Sequence, residues 1–299
     1  METGQRTVGA GARLVAALIF AALIFAASGC GKQAEKSGRM VVAASIAPLA
    51  DFCREVGGDR VRVEPLVPPG SNPHTYQLRP DQMDMLNGAS VLVLNGAGLE
   101  FWADKAVDAA GNPRLVVVRT AEGLHILDHT EQGGNPHVWL DPVNAIHQVN
   151  AIRDAFIKAD PAHAANYRAN AARYVEALKQ LDGYIRSQVK TFKLRSFVAF
   201  HPTWVYFAHR YGLDDAATIE SSPGKEPSPT DIRHAIEVAR KLHVKAIFAE
   251  PQVYPKAADV VAEEVGAKVV MLNAFGEPPR YQYIPMMRAN IRAMAEAMR

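Results

Sequence analysis

The chain has 299 residues, with 33 Lys or Arg against 31 Asp or Glu and a formal net charge of +2. So even a balance provides no basic footprint for nucleic acid. The length also exceeds the usual size of one hydrophobic core, so two domains or lobes are expected.

At the N-terminus, Arg6 and Arg13 precede an uncharged run from Leu14 to Ala27 that closes in Ala27, Ser28 and Gly29. This is a signal-peptide pattern. Its apolar run is shorter than the ~20 residues that a spanning helix needs. Residues 1–29 are therefore expected to be removed, leaving 31 basic and 30 acidic residues. The stretch Phe25 to Cys30 resembles the bacterial lipobox, which makes Cys30 the expected site of lipid attachment. Residues 30–38 hold that cysteine and a polar tether with nothing to bury. With Cys30 acylated, Cys53 has no partner for a disulfide and is expected as a small buried apolar residue.

From Arg39 onward, strand-like runs alternate with helical patterns. The first series comprises Met40–Ser45, Val61–Val67, Val91–Asn95 and Leu115–Arg119. The second comprises Ser196–Phe200, Ala216–Ile219, Val244–Ala249 and Lys268–Leu272. Such alternation predicts two α/β lobes with mainly parallel sheets, over 39–160 and 194–299. Between them, Tyr167, Ala171, Tyr174, Leu178, Leu181 and Ile185 recur at alternating four- and three-residue spacing. Asp160 and Pro161 read as an N-cap and first-turn proline, so one long helix over 161–193 is predicted, about 48 Å at ~1.5 Å per residue.

All ten histidines follow the signal, and three of them stand in turn-like contexts. His74 lies in the Pro/Gly-rich run from Pro68 to Tyr76, and His137 in the run from Asn135 to Pro142. His201 follows the strand Phe197–Phe200 and precedes Pro202, at the carboxyl end where α/β folds bind ligands. Prolines beside a histidine restrain the backbone that aims its ring. Three neutral imidazoles meeting at one point would suit Zn²⁺. Taken singly, each of these histidines would more often be a surface or hydrogen-bonded residue, and spacing alone does not show that they meet.

Four segments resemble one family: Asn72 to Tyr76, Pro136 to Pro142, Phe200 to Leu213 and Ile247 to Gln252, together with the closing Tyr283 to Asn290. That family is the zinc/manganese-binding solute-binding proteins of ABC importers, and the resemblance runs in order from about Met40 to Arg299. It implies two α/β lobes joined by one long rigid helix, a metal in the interlobe cleft, and delivery of the ion to a membrane permease. His74, His137 and His201 match the family's ligand positions. The fourth position, an aspartate in the family's usual Leu-Asp-Pro-Leu-Gly, is Asn273 here, within Leu272 to Gly276. Its amide oxygen or a water is expected to complete the shell, ahead of Glu277. Loss of the carboxylate should weaken hard Mn²⁺ more than Zn²⁺, and His201 stands where manganese-selective members tend to carry glutamate. Zn²⁺ is accordingly the expected ion, with Mn²⁺ or iron the alternative.

Glu250, at the end of its strand, is expected either to orient a ligand imidazole from behind or to be a plain turn residue before Pro251. His125, Asp128, His129 and Glu131 form a polar loop where zinc-specific relatives often carry a longer His-rich one. His147, His163, His209, His234 and His243 fall in helical patterns and receive no role. Zinc affinity should fall as pH drops through the imidazole range. The reading is of a monomeric, extracytoplasmic, lipid-anchored carrier without catalytic residues. A zinc hydrolase is the chief rival, although no His-Glu-x-x-His or Gly-x-Ser-x-Gly occurs, and a surface adhesin is a third reading that nothing in the sequence supports. A hydrolase would need an open coordination position that substrate can reach, whereas a carrier favours an enclosed one.

Overall fold

The computed structural model of the protein describes residues 38–68, 70–128, 134–220, 224–251 and 256–299. The expected signal, Cys30 and most of its tether lie outside these residues, as do His129 and Glu131.

Two four-stranded sheets, all parallel, form the two lobes. The first contains β1 (Met40–Ala44), β2 (Val61–Pro65), β3 (Val91–Leu94) and β4 (Val116–Arg119), in the order β2-β1-β3-β4. The second contains β5 (Ser196–Ala199), β6 (Asp214–Thr218), β7 (Ala246–Ala249) and β8 (Lys268–Met271), in the order β6-β5-β7-β8. Strands such as Val91-Leu92-Val93-Leu94 and Ala246-Ile247-Phe248-Ala249 are buried along their whole length. Helices cover both faces of a parallel sheet, so its central strands read as continuous apolar runs. Each sheet reverses its winding between its two central strands, β1 and β3 or β5 and β7. Crevices at such switch points bind ligands in open α/β sheets.

Helices α1 (Ala47–Gly57), α2 (Pro80–Gly88), α3 (Ala103–Ala110) and α4 (Pro142–Ala159) belong to the first lobe. The predicted long helix is α5 (Ala164–Val189), of 26 residues. Every apolar position of the predicted stripe is buried on it. It is shorter than expected, about 39 Å at ~1.5 Å per residue, because Pro161–His163 form a 3₁₀ turn and not its first turn, and because it ends at Val189, four residues early. The expected cap at Asp160 is also absent. Its carboxylate instead accepts from His163 Nδ1 and Tyr167 OH, each at 2.7 Å.

Helices α6 (Val205–Tyr211), α7 (Pro229–Lys241), α8 (Lys256–Val265) and α9 (Tyr283–Met298) complete the second lobe. The last of these reaches back to the first. Tyr283 N donates to Asp51 Oδ2 on α1 at 2.8 Å, and its ring packs edge-on against Phe52 with centroids 5.0 Å apart. Burial holds the Asp51 carboxyl up at about 6 despite that bond. One buried apolar cluster consequently runs from Val42 to Met298 through both lobes, where the sequence suggests two separate cores. Cys53 is fully buried within it, and burial pushes its thiol pKa up. Among the described residues no helix is long and apolar enough to cross a membrane.

Candidate metal centre

Two copies of one tripeptide build the first-lobe side. In Asn72-Pro73-His74 and again in Asn135-Pro136-His137, the asparagine Oδ1 accepts from the histidine backbone N, at 2.9 and 3.0 Å. This Asx turn is a local bond that asparagine makes two residues along its own chain. It fixes where each imidazole leaves the backbone. The loop carrying His74 follows β2, and that carrying His137 follows β4. Asn95, at the end of β3, donates from Nδ2 to the Pro136 carbonyl at 2.8 Å and so holds the second loop against the sheet.

The second-lobe side comes from strand ends. His201 lies two residues beyond β5, and Glu250 directly follows β7, the strand beside it. Glu220 lies beyond β6, the neighbour on the other side.

The three histidines meet. His74 Nε2 is 3.2 Å from His137 Nε2 and 3.3 Å from His201 Nε2. Their ring centroids form a nearly equilateral triangle with sides of 5.1, 5.0 and 5.1 Å. A tetrahedral ion bound about 2.0 to 2.1 Å from each nitrogen requires nitrogens about 3.3 Å apart. Among the described residues this is the one group of three or more His, Cys, Asp or Glu side chains placed to share an ion. His137 and His201 are 2 % and 4 % exposed, and the cavity beside them measures about 20 Å³.

The other ring nitrogens are held from behind. His137 Nδ1 is 2.9 Å from Asn135 Oδ1, and His201 Nδ1 is 2.8 Å from Glu220 Oε2. Each oxygen accepts, so Nδ1 carries the proton and Nε2 presents its lone pair to the centre. Glu220 is buried, and its other oxygen takes the Gly224 backbone N at 2.8 Å. Asn135 also bridges the lobes, donating to the Pro202 carbonyl at 2.6 Å and accepting at its own carbonyl from Tyr206 OH at 2.7 Å. Burial, reinforced by the neighbouring His201, brings His74 down to about 3. Burial, with both neighbouring rings, puts His137 well below the usual imidazole value. These two rings are neutral at ordinary pH, as ligation requires.

Two expected site residues stand differently. Asn273 does not reach the histidines: its Oδ1 accepts from Phe275 N and Gly276 N, both at 2.9 Å, and closes a turn. It lines a separate cavity with Glu277, while Ala274 and Phe275 face the histidines. Trp139 fixes that loop by donating to the Ala274 carbonyl at 2.9 Å. Glu250 does line the histidine cavity, yet its bonds go to Trp204 Nε1 at 3.1 Å and to Thr203, not to an imidazole. Glu220 performs the orienting task expected of Glu250. Burial holds the Glu250 carboxyl up at about 8. The sequence reading missed Glu220 and Asn135. A signal for the second was available in the recurrence of Asn-Pro-His, whereas Glu220 sits in no motif.

Residues 42–297 match the family model described as the periplasmic component A of the zinc-uptake complex, ZnuA. The chain belongs to this family. Over 94 % of its length it is 26 % identical to the high-affinity zinc uptake system protein ZnuA of Bacillus subtilis, covering 96 % of that protein. It is 29 % identical to the manganese-binding lipoprotein MntA of Halalkalibacterium halodurans, with 89 % and 92 % of the two chains aligned. A ZnuA crystal structure superposes on 87 % of the chain and 99 % of its own, with 31 % identity and a TM-score of 0.80. The two-lobed α/β architecture is thus that of the ZnuA family. His125 and Asp128, the described residues of the polar loop ahead of His137, are both exposed.

Proposed function

We propose that this ZnuA-family chain is a zinc carrier: His74, His137 and His201 bind one Zn²⁺ through Nε2 between the lobes and surrender it to a membrane permease. The observation that carries the reading is the spacing of the Nε2 atoms, 3.2 and 3.3 Å where it is given, against the roughly 3.3 Å edge of a tetrahedral zinc site. The donor set favours zinc over manganese. Three neutral imidazoles suit a borderline ion, while the foremost candidate oxygen donor of the neighbouring loop, Asn273 Oδ1, is committed to two backbone bonds.

Enclosure supports carriage over hydrolysis. A cavity of about 20 Å³ exceeds the ~10–15 Å³ needed for one water, but it leaves no room for a substrate beside the ion. The reading also includes lipid attachment at Cys30 after export. Labelled fatty acid should be incorporated by the precursor in cells and be lost on Cys30→Ser. The decisive experiment is metal analysis of protein purified without chelator, followed by Zn²⁺ and Mn²⁺ competition. One zinc per chain, bound more tightly than manganese, is the expected result. Preferential retention of manganese would overturn the choice of ion.

A further inference from the structure

Glu250 has a partnership that the histidines do not explain. Its carboxyl lies at the switch point of the second sheet, on the strand paired with the one that presents His201 (Ala199 stands opposite Phe248). It is 2 % exposed and lines the same cavity as His74, His137 and His201. Trp204 Nε1 takes its Oε1 at 3.1 Å, and Thr203 also bonds to the carboxyl. Its Oε2 is fully buried and has no partner among the described residues. Among the described residues, no other side chain lining the cavity has a fully buried polar atom left in that condition. Leaving a buried oxygen unpaired costs about 1 to 3 kcal/mol. Its retention here therefore points to a ligand.

Distance decides what kind of ligand. A carboxylate bound directly to a tetrahedral ion would place its oxygen about 3.3 Å from each histidine nitrogen. The three nitrogens lie within 4.8 Å of one another, and among the described residues no carboxylate oxygen lies within that distance of all three. An oxygen that accepts a hydrogen bond from a water on the ion would instead stand roughly 4 to 6 Å from those nitrogens. The cavity, at about 20 Å³, holds about one water-sized guest.

Charge selects the same arrangement. Three neutral rings leave an enclosed dication with only the Glu220 carboxylate behind His201 to offset it, and Asn273 adds no charge and faces elsewhere. With a dication one water away the Glu250 carboxyl is held ionised, and it adds countercharge while leaving the tetrahedron of three nitrogens and one oxygen intact. Glu220 is already occupied with His201 and Gly224. That leaves Glu250.

We infer that Glu250 is a positioning residue: its Oε2 accepts a hydrogen bond from a water that is the fourth ligand of the bound ion. The inference rests on the carrier reading and adds to it the identity of the fourth ligand and of the group that holds it. A water gripped by one hydrogen bond is also the ligand most readily exchanged when the ion leaves.

The test uses the full chain loaded with Zn²⁺, and with Co²⁺ as a spectroscopic stand-in. In Glu250→Gln an amide of the same size can satisfy either Trp204 or the water, not both. Zinc affinity by chelator competition is expected to fall about 10- to 100-fold, the usual cost of losing such an outer partner. Electron–nuclear double resonance of the Co²⁺ parent, in ordinary and deuterated water, should show strongly coupled exchangeable protons on an ion-bound water. This second measurement stands even where the variant folds poorly. Absence of those protons, or an unchanged affinity in a folded Glu250→Gln, overturns the inference. Failure of the parent itself to bind zinc overturns the carrier reading beneath it.

Discussion

The two lobes bring different chemistry to one ion position. The first contributes His74 and His137 from loops beyond the outer strands β2 and β4, each set by an Asx turn from a neutral asparagine. The second contributes His201 from the central strand β5 and surrounds it with two buried carboxyls, Glu220 and Glu250. Geometry on the first side is local: a residue two positions away fixes each ring. On the second side it depends on partners 19 and 49 positions along the chain, brought close only by strand pairing. The two buried carboxyls placed beside the rings therefore both belong to one lobe. Opening the lobes would separate two neutral ligands from the anionic half and loosen the ion without breaking either lobe's own hydrogen bonds.

The sharpest way to break this comparison is to remove a ligand. His201→Ala should weaken zinc binding well beyond 100-fold, more than the roughly 10- to 100-fold typical of an outer partner. The fold should survive, because among the described residues the ring's hydrogen-bond and ring-contact partners are Glu220 and the other two histidines of the site and not the strands and helices of the lobe. A chelator-competition constant equal to that of the parent would remove His201 from the site. The outer partners should rank next. Glu220→Gln removes both a hydrogen bond and the charge behind His201, whereas Asn135→Ala removes a neutral acceptor behind His137. Both losses should fall within about 10- to 100-fold, with Glu220→Gln the larger. Asn135→Ala should also lower stability by about 1 kcal/mol or more, through the lost bond to the Pro202 carbonyl. Equal affinity losses would mean that charge on the second side contributes nothing.

A smaller effect separates the two sides by pH. The sequence suggests that affinity declines as imidazoles protonate near 6.5. Burial changes this for the first lobe, bringing His74 down to about 3 and His137 well below its usual value. Neither competes with protons for zinc between pH 7 and 5. Affinity should therefore fall much less than the roughly tenfold per pH unit that each titrating imidazole would impose. Stability behaves in the opposite way. The unfolded histidines titrate near 6.5 and the folded ones lower, so the unfolded chain binds more protons in between. That stability is present above pH 6.5 and declines as pH falls toward 3. Thermal unfolding of metal-free protein at pH 7 and 5, beside zinc titrations at both, checks the pair. A hundredfold loss of affinity over that interval would show that the first-lobe rings titrate normally.

What could be read in advance follows the same division. All eight strands are found within two residues of their predicted starts and ends, since buried parallel strands such as Val91–Leu94 announce themselves as apolar runs. Prolines and strand ends singled out the three ring positions locally, and only the resemblance to a family brought them to one ion. Glu220 was not legible, because its meaning comes from β6 lying beside β5, and pairing order is a property of the whole sheet. The same reason hid the core that the two lobes share. Tyr283 and Asp51 are 232 residues apart, and nothing near either one names the other.

The smallest expected effect falls at Asn273, where the sequence reading looked for a fourth ligand and a reason for zinc preference. An aspartate there, on that reading, would raise Mn²⁺ affinity more than Zn²⁺ affinity by supplying a harder donor. The turn removes the premise. Oδ1 already accepts from Phe275 N and Gly276 N, and an aspartate oxygen would satisfy the same two donors without moving. The new charge would face the cavity shared with Glu277, away from the three rings. A charge so placed acts only through partly solvated distance, worth less than about 1 kcal/mol, or about fivefold in affinity. Asn273→Asp should thus shift both metals by less than that and leave their ratio unchanged, as measured by parallel chelator competitions. A selective gain for manganese would mean that the loop turns over when the ion binds and that the fourth ligand is the carboxylate, not the water.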